Sequence, residues 1–179
     1  RWVIIATERN SRPDQFKLQE NIVEENNNFC PFCAGNEEKT PPEIYAIREN
    51  NSLPNTPGWK VRVVPNKFPA LRIEGSLNRK GVGIYDLMNG IGAHEVIIET
   101  PIHKQQMQDY DIEQMKNVIL TYKLRSSDLK KDNRLRYIMI FKNYGKEAGA
   151  SLYHSHSQLI ATPVTPKRVK EELVGSKNY

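Results

Sequence analysis

Residues 154–158 read His-Ser-His-Ser-Gln. They follow the turn Gly149-Ala150-Ser151, which lies just beyond the apolar run Tyr137-Ile138-Met139-Ile140-Phe141. In an extended segment alternate residues share a face. His154, His156 and Gln158 therefore project together, with Ser155 and Ser157 behind them. Two neighbouring imidazoles are costly to bury without partners, so this segment has to border a site rather than a plain core. Only four histidines occur in the chain, and two of them are here.

The only two cysteines form Cys30-Pro31-Phe32-Cys33. Asn26-Asn27-Asn28 precedes this C-x-x-C and Gly35-Asn36 follows it, which places it on a turn. By itself the spacing fits a metal half-site, a redox pair or a disulfide. A thioredoxin-like pair needs a βαβ context that the flanks lack. A tetrahedral zinc needs two further nitrogen ligands, and the candidates are His94, His103, His154 and His156.

Further segments stand out in order along the chain. They are 7–13 (Thr-Glu-Arg-Asn-Ser-Arg-Pro), 30–35 (Cys-Pro-Phe-Cys-Ala-Gly), 64–71 (Val-Pro-Asn-Lys-Phe-Pro-Ala-Leu), 92–100 (Gly-Ala-His-Glu-Val-Ile-Ile-Glu-Thr) and 143–158. In this order they resemble the N-terminal half of the galactose-1-phosphate uridylyltransferase family, a branch of the histidine-triad superfamily. One departure is Ser155, where the family usually has proline. That serine resembles a divergent branch that includes plant-type ADP-glucose phosphorylases.

The resemblance implies a nucleotidyltransferase working by double displacement. His156 would attack the α-phosphorus of a nucleotide sugar, and the sugar 1-phosphate would leave. Gln158 would donate a hydrogen bond to a phosphoryl oxygen; an amide has no proton to give near neutral pH, which favours transfer over hydrolysis. Ser151 would hold the leaving phosphate. Arg9 and Arg12 would meet the phosphates of the nucleotide sugar, a task suited to guanidinium forks. Asn66 and Phe68 would cradle base and ribose, and Asn143 would contact the α-phosphate. Cys30, Cys33, His103 and His154 would hold a structural Zn2+, leaving His94 as a hydrogen-bonded structural histidine. The leading activity is UMP transfer between UDP-glucose and a hexose 1-phosphate such as galactose 1-phosphate. The alternatives are an ADP-glucose phosphorylase-like adenylyltransferase and a zinc-stabilised nucleotide-binding module without turnover. The family also implies a homodimer.

The 179 residues suffice for one domain, with 38% apolar and 26% charged residues and a net charge of +5. That modest excess suits anionic substrates. It lacks the interleaved basic and aromatic stripe of a nucleic-acid binder. No run approaches the roughly 18 apolar residues of a membrane span. Two cysteines in zinc spacing suit a reducing cytoplasm.

Strands are expected at 2–7, 43–48, 60–64, 95–100, 136–142 and 157–161. One long helix is expected from the N-cap Asp111, with Ile112, Met115, Ile119 and Tyr122 on its apolar face. This predicts an α+β fold, a histidine-triad-like half-domain with an antiparallel sheet. Residues 1–165 would form the N-terminal domain. The helix-like stretch 166–174 lies within 166–179, the expected start of a connection to a second half.

Overall fold

The computed structural model describes residues 2–6, 30–49, 51–145 and 147–178. Five antiparallel strands form the main sheet: β1 (Tyr45–Arg48), β2 (Trp59–Pro65), β5 (Ala93–Ile98), β6 (Tyr137–Phe141) and β7 (His156–Thr162). Their spatial order is β1-β2-β5-β7-β6. A separate hairpin pairs β3 (Lys80–Val82) with β4 (Tyr85–Leu87). Gly83, at φ 60°, supplies the positive φ that its two-residue turn needs. Also present among the described residues are two α-helices, α1 (Ile112–Leu129) and α2 (Lys167–Ser176), and two short 3-10 turns at Glu37–Lys39 and Met107–Asp109. Among the described residues, no helix is long and apolar enough to cross a membrane.

The central strands β5 and β7 are buried on both faces, β5 along its whole length. One face belongs to α1: Val61, Val63, Ile97, Leu159 and Ala161 pack with Val118 and Leu129 of the helix. The opposite face carries Val64, Val96 and Ile98 against Cys30, Phe32 and Cys33. Because side chains alternate along a strand, the register settles which groups reach which face. His156 pairs with Ile98 and Gln158 with Val96. Gly92, at the entry to β5, has no room for a side chain: an added Cβ would lie 2.3 Å from the Ala161 carbonyl.

The expected α+β class and antiparallel sheet are what the structure has. Asp111 caps α1, its Oδ1 accepting the Gln114 N–H at 2.7 Å. The expected helix face is met in part: Tyr122 packs against the core and Met115 is half-buried. Ile112 and Ile119 are 89% and 55% exposed, whereas Asn117, Val118, Thr121, Arg125 and Leu129 are buried. Beneath the helix lie carboxylates that must be partnered. Arg125 forks onto Glu95 at 2.7 and 2.9 Å, and Tyr122 donates to Glu99 at 2.9 Å. The Gln114 amide bonds the backbone carbonyls of Lys60 and Glu99. The face of α1 turned to the sheet thus combines the apolar Val118 and Leu129 with the polar Gln114, Tyr122 and Arg125.

The first expected strand is also absent among the described residues: 2–6 form no regular element, and Thr7 lies outside them. The hairpin β3–β4 was not among the expected strands, whereas α2 falls on the helix-like stretch expected at 166–174.

Candidate active site and metal centre

Gly149, at φ 72°, turns the chain before Ser151, and residues 154–158 then run into β7. Their alternation is realised. His154, His156 and Gln158 lie on the side of Phe32, whose ring contacts both imidazoles at centroid distances of 6.2 and 5.1 Å. Ser155 and Ser157 point to the α1 side and bond the carboxylate of Glu99.

The two histidines use opposite nitrogens. His154 donates Nε2–H to the Thr100 carbonyl at 2.7 Å, which leaves the Nδ1 lone pair beside Cys30 Sγ (3.6 Å) and Cys33 Sγ (3.5 Å). Burial depresses the His154 pKa to about 4, with the Thr100 carbonyl opposing and His103 adding to the shift, so its ring is neutral at physiological pH. His103 brings Nδ1 to 3.3 Å from Cys33 Sγ. The ligand atoms of Cys30, Cys33, His103 and His154 all lie within 4.8 Å of one another, and all four residues are buried. A tetrahedral ion with bonds of about 2.0–2.3 Å has edges of roughly 3.3–3.8 Å, the range of these S–N contacts. Burial raises the pKa of both thiols, that of Cys33 to about 12, with Cys30 adding to it. A cation is what would draw them into thiolate form at neutral pH. The donor set therefore fits a closed tetrahedral metal site. His94 is not part of it.

His156 donates Nδ1–H to the His154 carbonyl at 2.7 Å. That bond fixes the tautomer, with the proton on Nδ1 and the lone pair on Nε2. His156 lines a cleft of about 680 Å³, open mouth included, together with Phe32, Asn66, Phe68, Ser151 and Gln158. Lys39 and Lys67 also border it and bring positive charge to its rim. Asn66 and Phe68 are locked in one turn, since Asn66 Oδ1 accepts the Phe68 N–H at 2.9 Å. Thus five of the expected residues, Ser151, His156, Gln158, Asn66 and Phe68, share one cavity. Asn143 is half-buried beyond β6 and is not among the described residues that line it. Arg9 and Arg12 lie outside the described residues.

His94 is the hydrogen-bonded structural histidine expected, but its partner and the network behind the segment went unanticipated. His94 is buried against Gln158, its Nε2 lying 2.9 Å from Oε1. Behind the histidine segment, Glu99 is fully buried and binds Lys142, Ser155, Ser157, Tyr110 and Tyr122. Burial alone would raise the Glu99 pKa, but Lys142 and the hydroxyls together hold it below the usual value. Serines at both alternate positions of the motif were the sequence sign of this network. It also accounts for Ser155, whose Oγ bonds Glu99, Lys142 and Tyr110 and so faces away from the cleft.

The ADP-glucose phosphorylase of Arabidopsis thaliana is 37% identical over 185 residues, covering all of this chain and 50% of the relative. The galactose-1-phosphate uridylyltransferase of Thermotoga maritima is 28% identical over 179 residues, covering 99% of the chain and 48% of the relative. The crystal structure of an Arabidopsis thaliana ADP-glucose phosphorylase with bound ADP-glucose superposes with a TM-score of 0.74 at 35% identity, over 100% of this chain and 51% of that one. The chain thus spans about half the length of the curated relatives it matches. The family model for the galactose-1-phosphate uridyl transferase N-terminal domain matches residues 1–166. Because that model covers 166 of the 179 residues, the chain belongs to the galactose-1-phosphate uridylyltransferase family.

Proposed function

We propose that this chain is the nucleotidyl-accepting half of an enzyme that moves a nucleoside monophosphate from a nucleotide sugar to a phosphate acceptor. The observation that carries this reading is His156, whose Nδ1 is committed to the His154 carbonyl while the ring lines the cleft beside Gln158. In the first step Nε2 forms a bond to the α-phosphorus, the bond to the sugar-phosphate oxygen breaks, and sugar 1-phosphate leaves with the electron pair. In the second, an acceptor phosphate oxygen displaces the imidazole. The Gln158 amide donates to a phosphoryl oxygen in both steps. Ser151 holds the departing phosphate, Asn66 and Phe68 hold the nucleoside, and Arg9, Arg12 and Asn143 contribute to phosphate binding.

The adenylyl reading is favoured by the 37% identity to an ADP-glucose phosphorylase against 28% to a uridylyltransferase. Its donor is ADP-glucose and its acceptor inorganic phosphate, giving ADP and glucose 1-phosphate. The uridylyl reading, UDP-glucose with a hexose 1-phosphate, rests on the family model. Zn2+ is the ion we assign to Cys30, Cys33, His103 and His154, as the borderline-soft cation for a closed S2N2 set. It would anchor the start of the histidine segment and take no part in the chemistry. A reducing, cytoplasmic setting and a homodimer complete the proposal.

The test is transfer of label onto the full-length protein from ADP-glucose or UDP-glucose carrying 32P at the α position. Alkali-stable label from one donor identifies the nucleotide. Absence of label from both, with folded, metal-loaded protein, rejects turnover in favour of a binding module.

A further inference from the structure

We propose that His94 is a positioning residue that dictates which end of the Gln158 amide faces the substrate. This rests on the reading of Gln158 as a hydrogen-bond donor to phosphoryl oxygen. A carboxamide is nearly symmetric in shape but opposite in polarity at its two ends. One orientation offers N–H to a phosphoryl oxygen; the other offers carbonyl lone pairs, which repel it. A glutamine in such a place therefore needs something to fix its sense.

His94 supplies this through a chain of forced assignments. The backbone N–H of Ala70 can only donate, and it points at His94 Nδ1 at 3.0 Å. Nδ1 must therefore carry the lone pair, and the proton of the neutral ring sits on Nε2. Nε2–H in turn lies 2.9 Å from Gln158 Oε1 and donates to it. Asn66 is fixed in the same way. Its Oδ1 accepts the Phe68 N–H, so Nδ2 is its donor end, and that nitrogen lies 3.5 Å from the same Gln158 Oε1. The 3.1 Å approach of Asn66 Nδ2 to His94 Nε2 is then two donors converging on one acceptor, not a bond between them. With two donors on its oxygen, the Gln158 amide turns its NH2 end toward the cleft it lines.

The polarity of the phosphate-binding group is thus written by two main-chain amides, those of Phe68 and Ala70. The segment 66–70 that carries them also contributes Asn66, Lys67 and Phe68 to the cleft wall. His94 is only 5% exposed and belongs to β5, so the relay stands on the central sheet.

A double-mutant cycle in the full-length protein tests this, read as the rate at which 32P-nucleotide is transferred to the enzyme. His94→Phe keeps a ring but removes both nitrogens, and should slow transfer by on the order of 100-fold, the scale of a misplaced reacting group. His94→Gln, whose amide can reach the same oxygen, should recover most of the rate. In a Gln158→Ala background, His94→Phe should cost less than about threefold more, because positions that act through one another are not additive. An undiminished 100-fold loss in that background would overturn the proposal. The 15N spectrum of His94 is a readout independent of turnover. It should show a protonated Nε2 and a bare Nδ1; the opposite tautomer would overturn the relay even if labelling by nucleotide sugar succeeds. If no nucleotide sugar labels the wild type, the functional reading fails and the tautomer alone decides the relay.

Discussion

His154 and His156 stand two residues apart and commit opposite nitrogens to the main chain: His154 gives Nε2–H to the Thr100 carbonyl, and His156 gives Nδ1–H to the His154 carbonyl, each at 2.7 Å. The first leaves its lone pair among the thiols of Cys30 and Cys33, the second in the cleft. Two chemically identical side chains thus present opposite nitrogens, each set by one hydrogen bond. The second of these bonds ends on the backbone carbonyl of the first residue, so the candidate metal site and the proposed nucleophile are joined through His154.

The two positions should therefore fail in different ways. His154→Ala should lose about one equivalent of zinc per chain and lower Tm by roughly 5–10 °C, because a closed metal site supplies folding free energy. Cys30→Ser should behave alike. His156→Gly should keep zinc and Tm and lose covalent labelling. Metal analysis, thermal unfolding and labelling on the same preparations separate these outcomes. Label retained by His156→Gly would place the nucleophile elsewhere, and full zinc content in Cys30→Ser would undo the metal assignment.

Ser155→Pro, which restores the residue usual in the family, should alter stability and spare substrate choice. Ser155 Oγ bonds Glu99, Lys142 and Tyr110 on the α1 side of the sheet, not the cleft. Loss of these bonds should cost about 1–3 kcal/mol, the range for buried partners left unsatisfied. The ratio of ADP-glucose to UDP-glucose turnover should move less than about twofold, since a group that does not touch substrate has no direct hold on transition-state binding. A larger change in that ratio would mean that Ser155 reads the nucleotide.

Gln158→His should raise hydrolysis of the nucleotidyl-enzyme relative to transfer, by roughly tenfold, less than a fully positioned acid or base delivers. An imidazole can pass a proton to or from water, whereas the amide cannot. Single-turnover decay of isolated labelled enzyme, with and without acceptor, measures the ratio. Equal decay in the two proteins would remove the amide as the reason for transfer.

The parts of this arrangement visible in the sequence are those set by local periodicity. The alternation of His154, His156 and Gln158 needed only the two-residue repeat of a strand, and the cap at Asp111 only its side-chain oxygen. What escaped is what long-range polar partners decide. Ile112 and Ile119 suggested a core face together with Tyr122, yet of the three only Tyr122 turns inward; Arg125 and Gln114 also lie under the helix, bonded to Glu95 and to the carbonyl of Glu99. His94 could be read as a satisfied structural histidine, but its partner Gln158 is 64 residues away and is set by the β5–β7 register. No spacing rule connects the two.

The Glu99–Lys142 pair offers the sharpest test of how the histidine segment is supported. Glu99 is fully buried, while the Lys142 side chain keeps 23% of its exposure. Lys142→Met should destabilise the protein by about 3 kcal/mol, because it leaves a buried carboxylate without its cation. Glu99→Gln/Lys142→Met should recover part of that loss, since it removes the charge together with its partner. The pH dependence follows from the sign of the shift. The Glu99 pKa is held below the ordinary 4.5 in the folded protein. Its contribution is thus present in full above that value and is lost as pH falls from there through the lower folded pKa. Wild type should lose stability on acidification more steeply than Glu99→Gln, and the deficit of Lys142→Met against wild type should shrink as pH falls, because a buried Glu99 without its cation takes up its proton at a higher pH than in wild type. Urea unfolding of the four proteins between pH 3 and 7 measures both slopes. A deficit in Lys142→Met that stays constant across this range would show that Lys142 supports the segment by packing rather than by charge.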